Sequence, residues 1–399
     1  MLGDVALHPL LLPYDNSMFR LAASGTSRST VSGLEATIDD VTVVTYTFPT
    51  DQPEADGTLA WSATTMIVVE VIGGGQTGLG YTYAAPACQP LIEQVLLDAI
   101  RDRPVLDVSG AWEAMVRAIR NLGRPGLVSC AISAVDTALW DLKGKLLDAL
   151  VCRLLGVVHE AVPVYGSGGF TTYDDATARA QLEQWVHAWQ LPRVKIKIGE
   201  SWGCNVTRDL ARIGFARDVI GSAVDLFVDA NGGYTRKQAV RVAQAMAEHD
   251  VAWFEEPVSS DDLTGLKEVR DQVRPDVTAG EYGFDLVYFA RMIAAHAVDC
   301  LQVDVTRCGG ITEWVRAAAV AAAAGLQVSG HCAPNLHAHV AASVPNLRHL
   351  EYFHDHVRIE NLIFDGALDP TGGALRPDRT RPGLGLELKR ADAERYRVQ

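Results

Sequence analysis

The sequence is short of positive charge. Its 399 residues carry 35 Lys and Arg against 49 Asp and Glu, a formal net charge of −14. A surface of that sign repels nucleic acid and anionic membrane, so neither is expected as a partner. An anionic small molecule would need local positive charge from lysines or a metal. No CxxC pair occurs among the seven cysteines (Cys88, Cys130, Cys152, Cys204, Cys300, Cys308 and Cys332), and their number is odd. That argues against a disulfide framework and for reduced thiols in a cytoplasmic protein. No apolar run approaches the ~18 residues of a membrane span. The apolar piece from Leu7 to Leu12 has neither a basic leader nor a cleavage pattern, so no signal peptide is expected. No arginine cluster stands out as a partner for a second substrate carboxylate.

What is present is an ordinary globular composition, 48% hydrophobic and 21% charged, in a chain long enough for one large domain and a smaller one. Residues 1–33 end rich in Ser, Thr and Gly, as in Ser24-Gly25-Thr26-Ser27, and are expected to be an extension. From residue 34 to 155 the texture is α+β. Val41 to Tyr46, Met66 to Ile72 and Gly78 to Tyr83 form three strands of a meander around the Gly73-Gly74-Gly75 turn. Residues 50–62 look polar and loop-like. Residues 89–155 follow helical periodicity, clearest in Ile132-Ser133-Ala134-Val135-Asp136-Thr137-Ala138-Leu139-Trp140-Asp141-Leu142.

From 160 to 360 short apolar runs alternate with helical segments. The runs are Val162–Gly166, Val194–Ile198, Val224–Asp229, Ala252–Glu255, Val277–Gly280, Leu301–Asp304, Leu326–Gly330 and Leu347–Glu351. Starts roughly 21 to 32 residues apart match a βα unit, and eight such strands make a TIM-type barrel. Thr235 with Gln238 fits a capping box at the head of one intervening helix. Residues 361–399 are irregular and polar and are expected to pack back onto the first domain.

Chemistry in such barrels sits at the C-terminal strand ends, where nearly every notable ionisable residue falls. Asp229, Glu255 and Glu281 end three successive strands at equal 26-residue spacing. They offer three hard oxygen ligands around one point, as Mg²⁺ requires. Three unrelated rim ion pairs are the alternative. Glu256 should turn to the other face of its strand, with a structural role. Lys195 and Lys197 lie two residues apart and both point inward. Their proximity and a divalent metal should depress one amine pKa, with Lys197, nearer the strand end, the better base and Lys195 partly committed to ion pairs. His331 ends the seventh strand beside Asp304 on the sixth, and a carboxylate there fixes its tautomer. Glu351, if protonated, would donate a hydrogen bond to a developing enolate. His337 and His339 form an HxH pair, but at i, i+2 on a helix they do not face each other, so zinc is not expected.

These residues resemble the enolase superfamily, specifically its mandelate racemase subgroup, over most of the chain from about Leu34. The signatures are Ile132–Leu142, Lys195-x-Lys197, Asp229-x-Asn231, Glu255-Glu256-Pro257, Gly280-Glu281, Asp304 five residues before Gly309-Gly310, and His331. The resemblance implies an α+β capping domain over a (β/α)7β barrel, one Mg²⁺, abstraction of the proton α to a carboxylate, and a homo-oligomer. The Asp304–His331 pair separates this chain from muconate cycloisomerase-like members, which carry a lysine on the sixth strand. Some acid-sugar dehydratases have a histidine just after the first metal ligand. Asn231 stands there, a substrate contact limited to hydrogen bonding. Relatives often have Glu where this chain has Tyr81.

The expected activity is Mg²⁺-dependent formation of an enediolate from a small carboxylate. Acid-sugar dehydration to a 2-keto-3-deoxy acid is favoured by analogy with the subgroup. A racemase or epimerase would use the same residues. A non-catalytic binding barrel is the third reading and has no need of two bases. Specificity is expected from residues 14–33, 50–62 and 81–88, which hold Trp61, Tyr81 and Tyr83, and a monoacid sugar is favoured over a diacid.

Overall fold

A computed structural model describes residues 35–398; the expected extension and the candidate specificity segment 14–33 lie outside the described residues. Three antiparallel strands open the chain: β1 (Ile38–Ala55), β2 (Ala60–Gly73) and β3 (Gln76–Tyr83). The first two are longer than the sequence suggests. Residues 50–62 are not a free loop but the tip of the β1–β2 hairpin, and Glu54 pairs with Trp61 across it. Polar side chains mask a strand when its partner supplies the order, which a composition reading misses.

The helix Leu127–Leu146 lies across this sheet. It approaches β3 so closely that a Cβ on Gly78 or Gly80 would stand 2.2 Å from the carbonyl oxygens of Ala138 and Ala134. The side chains from Ile38 to Leu142 that meet here form one buried apolar core. The same helix docks onto the barrel through polar groups. Asp136 accepts hydrogen bonds from Thr312 N (3.0 Å) and Thr312 Oγ1 (2.6 Å), and Ser133 Oγ accepts one from Gly309 N (2.8 Å). Gly310, at φ 85°, leaves room for Asp136.

Eight parallel strands close the barrel: β4 (Val162–Gly168), β5 (Arg193–Lys197), β6 (Asp225–Asp229), β7 (Val251–Glu255), β8 (Asp276–Ala279), β9 (Cys300–Val303), β10 (Gln327–Gly330) and β11 (Leu347–Phe353). They pair in sequence order and β11 closes on β4. The fold is the α/β architecture expected, a (β/α)7β barrel with an N-terminal capping domain, and a further helix (His354–Ile363) follows the last strand. Thr235 and Gln238 form the capping box. Inside the barrel, Tyr165, Phe227 and Trp253 surround His349 with ring centroids 4.8–5.4 Å from it. This aromatic plug fills the barrel below the polar strand ends.

After residue 363 the chain runs back along both domains. Ala374–Leu375 adds antiparallel to β4. Arg390 pairs with Glu70 at 2.5 Å, and Val398 N donates to Thr45 O (2.9 Å) on β1. Among the described residues, no helix is long and apolar enough to cross a membrane.

Candidate active site

Strand register places the first part of the site. Lys197 pairs with Asp229, and Asp229 with Glu255, so three adjacent strands present these side chains at one level. Glu281 stands two residues beyond β8. The Gly280 before it has φ 135°, and a Cβ there would lie 2.1 Å from Gln302 O, so the turn that delivers Glu281 demands glycine. Asp304 and His331 directly follow the register partners Val303 and Gly330. Glu351 lies within β11. These seven side chains and Lys195 are buried, with relative exposures of 5% or less.

One ligand atom from each of Asp229, Glu255 and Glu281 lies within 4.8 Å of the other two. All are oxygens, and Glu281 Oε2 is buried without a hydrogen bond, 3.2 Å from His331 Nε2. Such an orphaned acceptor among three carboxylates suits a hard divalent cation. Cationic side chains stand around them. Lys197 Nζ donates to Asp229 Oδ2 (2.5 Å); Lys195 Nζ reaches Glu255 Oε1 (2.5 Å) and Glu351 Oε1 (2.7 Å). Gln302 and Trp253 donate to the Glu255 carboxylate as well.

His331 Nδ1 lies 2.7 Å from Asp304 Oδ2. Burial opposes ionisation of Asp304, but the His331 hydrogen bond and charge, with Arg307, hold its carboxyl below the usual carboxylate range. Nδ1 therefore carries the proton and Nε2 is left as the basic nitrogen. Burial lowers the His331 pKa, yet Glu281, Glu351 and Asp304 together raise it above that of an ordinary imidazole.

Three expectations are corrected. Without a metal the Lys197 pKa is raised rather than depressed: burial lowers it most, but Asp229, Glu351 and Glu281 together outweigh burial and Lys195. Glu351 is not a protonated donor. Burial works against its charge, but Lys195, His331 and Lys197 hold it well below the ordinary range. It accepts from Ser167 Oγ (2.6 Å) and Cys332 N (3.2 Å) as well as from Lys195. Glu256 does not alternate to the helix face, because the backbone leaves the strand there at φ 38°. Its carboxyl is buried with Oε1 unpartnered, and burial followed by repulsion from Glu281 and Asp229 pushes its pKa well up.

A cavity of about 500 Å³ opens above these groups, lined by Lys197, Glu281, His331, Asn231, Trp61 and Tyr83 among others. Asn231 Oδ1 is buried and unpartnered. Tyr81 does not line the cavity; it is buried 5.0 Å from the Phe364 ring. His337 and His339 point to different carbonyls, those of Cys332 and Leu384, and do not converge. Sequence reasoning missed Arg307, which lines the cavity and contacts both Asp304 Oδ2 (3.4 Å) and Glu281 Oε1 (3.2 Å). Its three-residue step from Asp304 was the available signal.

Residues 39–156 match the family model for the mandelate racemase / muconate lactonizing enzyme N-terminal domain, and residues 177–393 match enolase C-terminal domain-like sequences. A 3,6-anhydro-alpha-L-galactonate cycloisomerase of Streptomyces coelicolor is 30% identical over 79% of this chain and 87% of that protein. An L-talarate/galactarate dehydratase of Salmonella typhimurium is 28% identical over 79% and 78%. Among solved structures, a mandelate racemase/muconate lactonizing enzyme-like protein from Rubrobacter xylanophilus is 47% identical, with a TM-score of 0.88 over 91% of this chain and 100% of that one. A racemase from Streptomyces coelicolor with bound magnesium is 29% identical, with a TM-score of 0.85 over 90% and 100%. With both domain models matched in order along one chain, this protein belongs to the mandelate racemase/muconate lactonizing enzyme family of the enolase superfamily.

Proposed function

We propose that the protein removes the proton α to the carboxylate of a small acid sugar and dehydrates it to a 2-keto-3-deoxy acid. One observation carries the reading: two proton-handling residues, Lys197 and His331, line one cavity that also reaches Glu281 of the carboxylate cluster. Asp229, Glu255 and Glu281 would hold Mg²⁺, which supplies positive charge to the substrate carboxylate and so acidifies its α-hydrogen.

The rest of the chemistry falls to side chains. Asp304 keeps the His331 proton on Nδ1, so Nε2 takes the α-proton. Lys197, held as an ammonium by Asp229, gives a proton to the departing β-hydroxide, which leaves as water. The resulting enol tautomerises to the 2-keto acid. Lys195 neutralises Glu255 and Glu351 and stays an ammonium that binds substrate charge. Asn231 Oδ1, free of any protein donor, accepts a hydroxyl hydrogen bond. The second reading, racemisation or epimerisation, uses the same pair: Lys197 returns the proton to Cα instead.

Support for the dehydratase outcome comes from the Salmonella typhimurium relative, and for an isomerase outcome from the two Streptomyces coelicolor proteins. A cytoplasmic location is proposed on the seven unpaired thiols, six of them buried. A homo-oligomer is proposed from family membership, to be measured by light scattering.

Proton NMR in D₂O with Mg²⁺, against a panel of aldonic, aldaric and simple α-hydroxy acids, tests the reading. A 2-keto-3-deoxy product is expected. Deuterium at Cα without a new product would favour the racemase. Neither change across the panel, with Mg²⁺ bound, would contradict both.

A further inference from the structure

A second cluster of metal-binding side chain types lies away from the barrel centre. Strand β1 loses register between Pro49, which pairs with Ala63, and Glu54, which pairs with Trp61. Residues 50–53 therefore bulge out of the hairpin. The bulge carries Asp51 to the first residue of the helix His354–Ile363, where His354 Nε2 lies 3.1 Å from Asp51 Oδ2 and 3.3 Å from Oδ1. Glu54 sits behind them and is only 1% exposed. Its Oε2 accepts a hydrogen bond from Trp61 Nε1 (2.7 Å), while its Oε1 is buried with no partner. One donor atom from each of Asp51, Glu54 and His354 falls within 4.8 Å of the other two. Arg358 donates its hydrogen bonds to Asp355 Oδ1 (2.6 Å) and Pro49 O (2.9 Å).

We propose that Asp51, Glu54 and His354 form a second divalent-cation site, of the borderline class that Zn²⁺ represents, joining the capping-domain bulge to the end of the eighth barrel strand. An unpartnered carboxylate oxygen inside the protein is costly, and a cation supplies what it lacks. One imidazole and two carboxylates, with a fourth position for water, is a zinc-type donor set; the barrel cluster, all oxygen, is a magnesium-type set. The two sites therefore differ in the metal they select. Glu54 also holds Trp61, which stands edge-on to Phe170 at 5.4 Å and lines the substrate cavity with Asp355. A cation here fixes one wall of that cavity without touching the reacting atoms.

The test is calorimetric titration of Zn²⁺ into the full-length protein in excess Mg²⁺. Uptake of one Zn²⁺ per chain is expected, weakened at least about tenfold in Glu54→Gln and in His354→Gln, and unchanged in Cys332→Ser. The last variant controls for the His331, Cys332 and Glu351 donors inside the barrel. Absence of Zn²⁺ uptake would overturn the site. So would uptake that survives both substitutions or disappears in Cys332→Ser. If Glu54→Gln fails to fold by circular dichroism, His354→Gln, at a partly exposed helix start, decides alone.

Discussion

Asp304 and His331 follow register-paired residues on β9 and β10, and His331 Nδ1 lies 2.7 Å from Asp304 Oδ2. The bond joins two strands of the barrel and leaves Nε2 as the nitrogen available to the cavity. Asp304→Asn keeps an acceptor for Nδ1 but removes the charge that favours a protonated, correctly turned ring. We expect kcat to fall about 10- to 100-fold with Mg²⁺ affinity unchanged, because Asp304 is outside the carboxylate cluster. Steady-state kinetics with metal titration checks this. Full kcat would remove the positioning role.

Lys195 is fully buried between Glu255 and Glu351. Lys195→Met preserves most of its volume but leaves two carboxylates without their shared cation. Breaking a buried ion pair from one side costs about 3 to 5 kcal/mol. The urea midpoint of the metal-free variant should drop accordingly, and Mg²⁺ should restore part of the loss by replacing the missing charge near Glu255. A midpoint equal to that of the parent would mean the carboxylates are not charged together.

Glu360 gives a pH signature independent of the metal cluster. It is buried, accepts from Tyr83 Oη (3.1 Å) and from Asn335 Nδ2, and burial, outweighing those bonds, pushes its carboxyl up to about 7. Unfolded, it titrates near an ordinary glutamate, at about 4.3. Between those values the folded state binds the extra proton, so this group's contribution to stability falls as pH rises, by about 1.4 kcal/mol per pH unit. Glu360→Gln has no proton to lose. Its stability relative to the parent should therefore grow from pH 4.5 to pH 7 (~1.4 kcal/mol per unit at most), measured by denaturant melts. A constant difference would show that Glu360 is ionised in the fold.

Much of this site was legible because barrel strands carry simple periodicity. Lys195 and Lys197, two apart on β5, share the inner face, and Asp229 and Glu255 end β6 and β7 at paired positions. The failures occur where the backbone leaves that periodicity. Glu256 escapes the alternation because β7 ends at Glu255 and its own φ is 38°. The hairpin tip at 50–62 looked like a loop because its order comes from cross-strand pairs such as Glu54–Trp61. Charge states were the hardest to anticipate. Lys197 and Glu351 owe theirs to partners brought from other strands, and a sum of such pair terms against burial cannot be read from one segment.

The central claim is that His331 takes the α-proton and Lys197, lining the same cavity, protonates the departing hydroxide. Its most direct test is deuterium uptake at Cα in D₂O, followed by NMR on a substrate with the parent, Lys197→Ala and His331→Asn. His331→Asn should lose exchange at Cα by at least about a hundredfold, whereas Lys197→Ala should still exchange Cα but release no 2-keto-3-deoxy product. Parent-like exchange in His331→Asn, or full dehydration by Lys197→Ala, would contradict it.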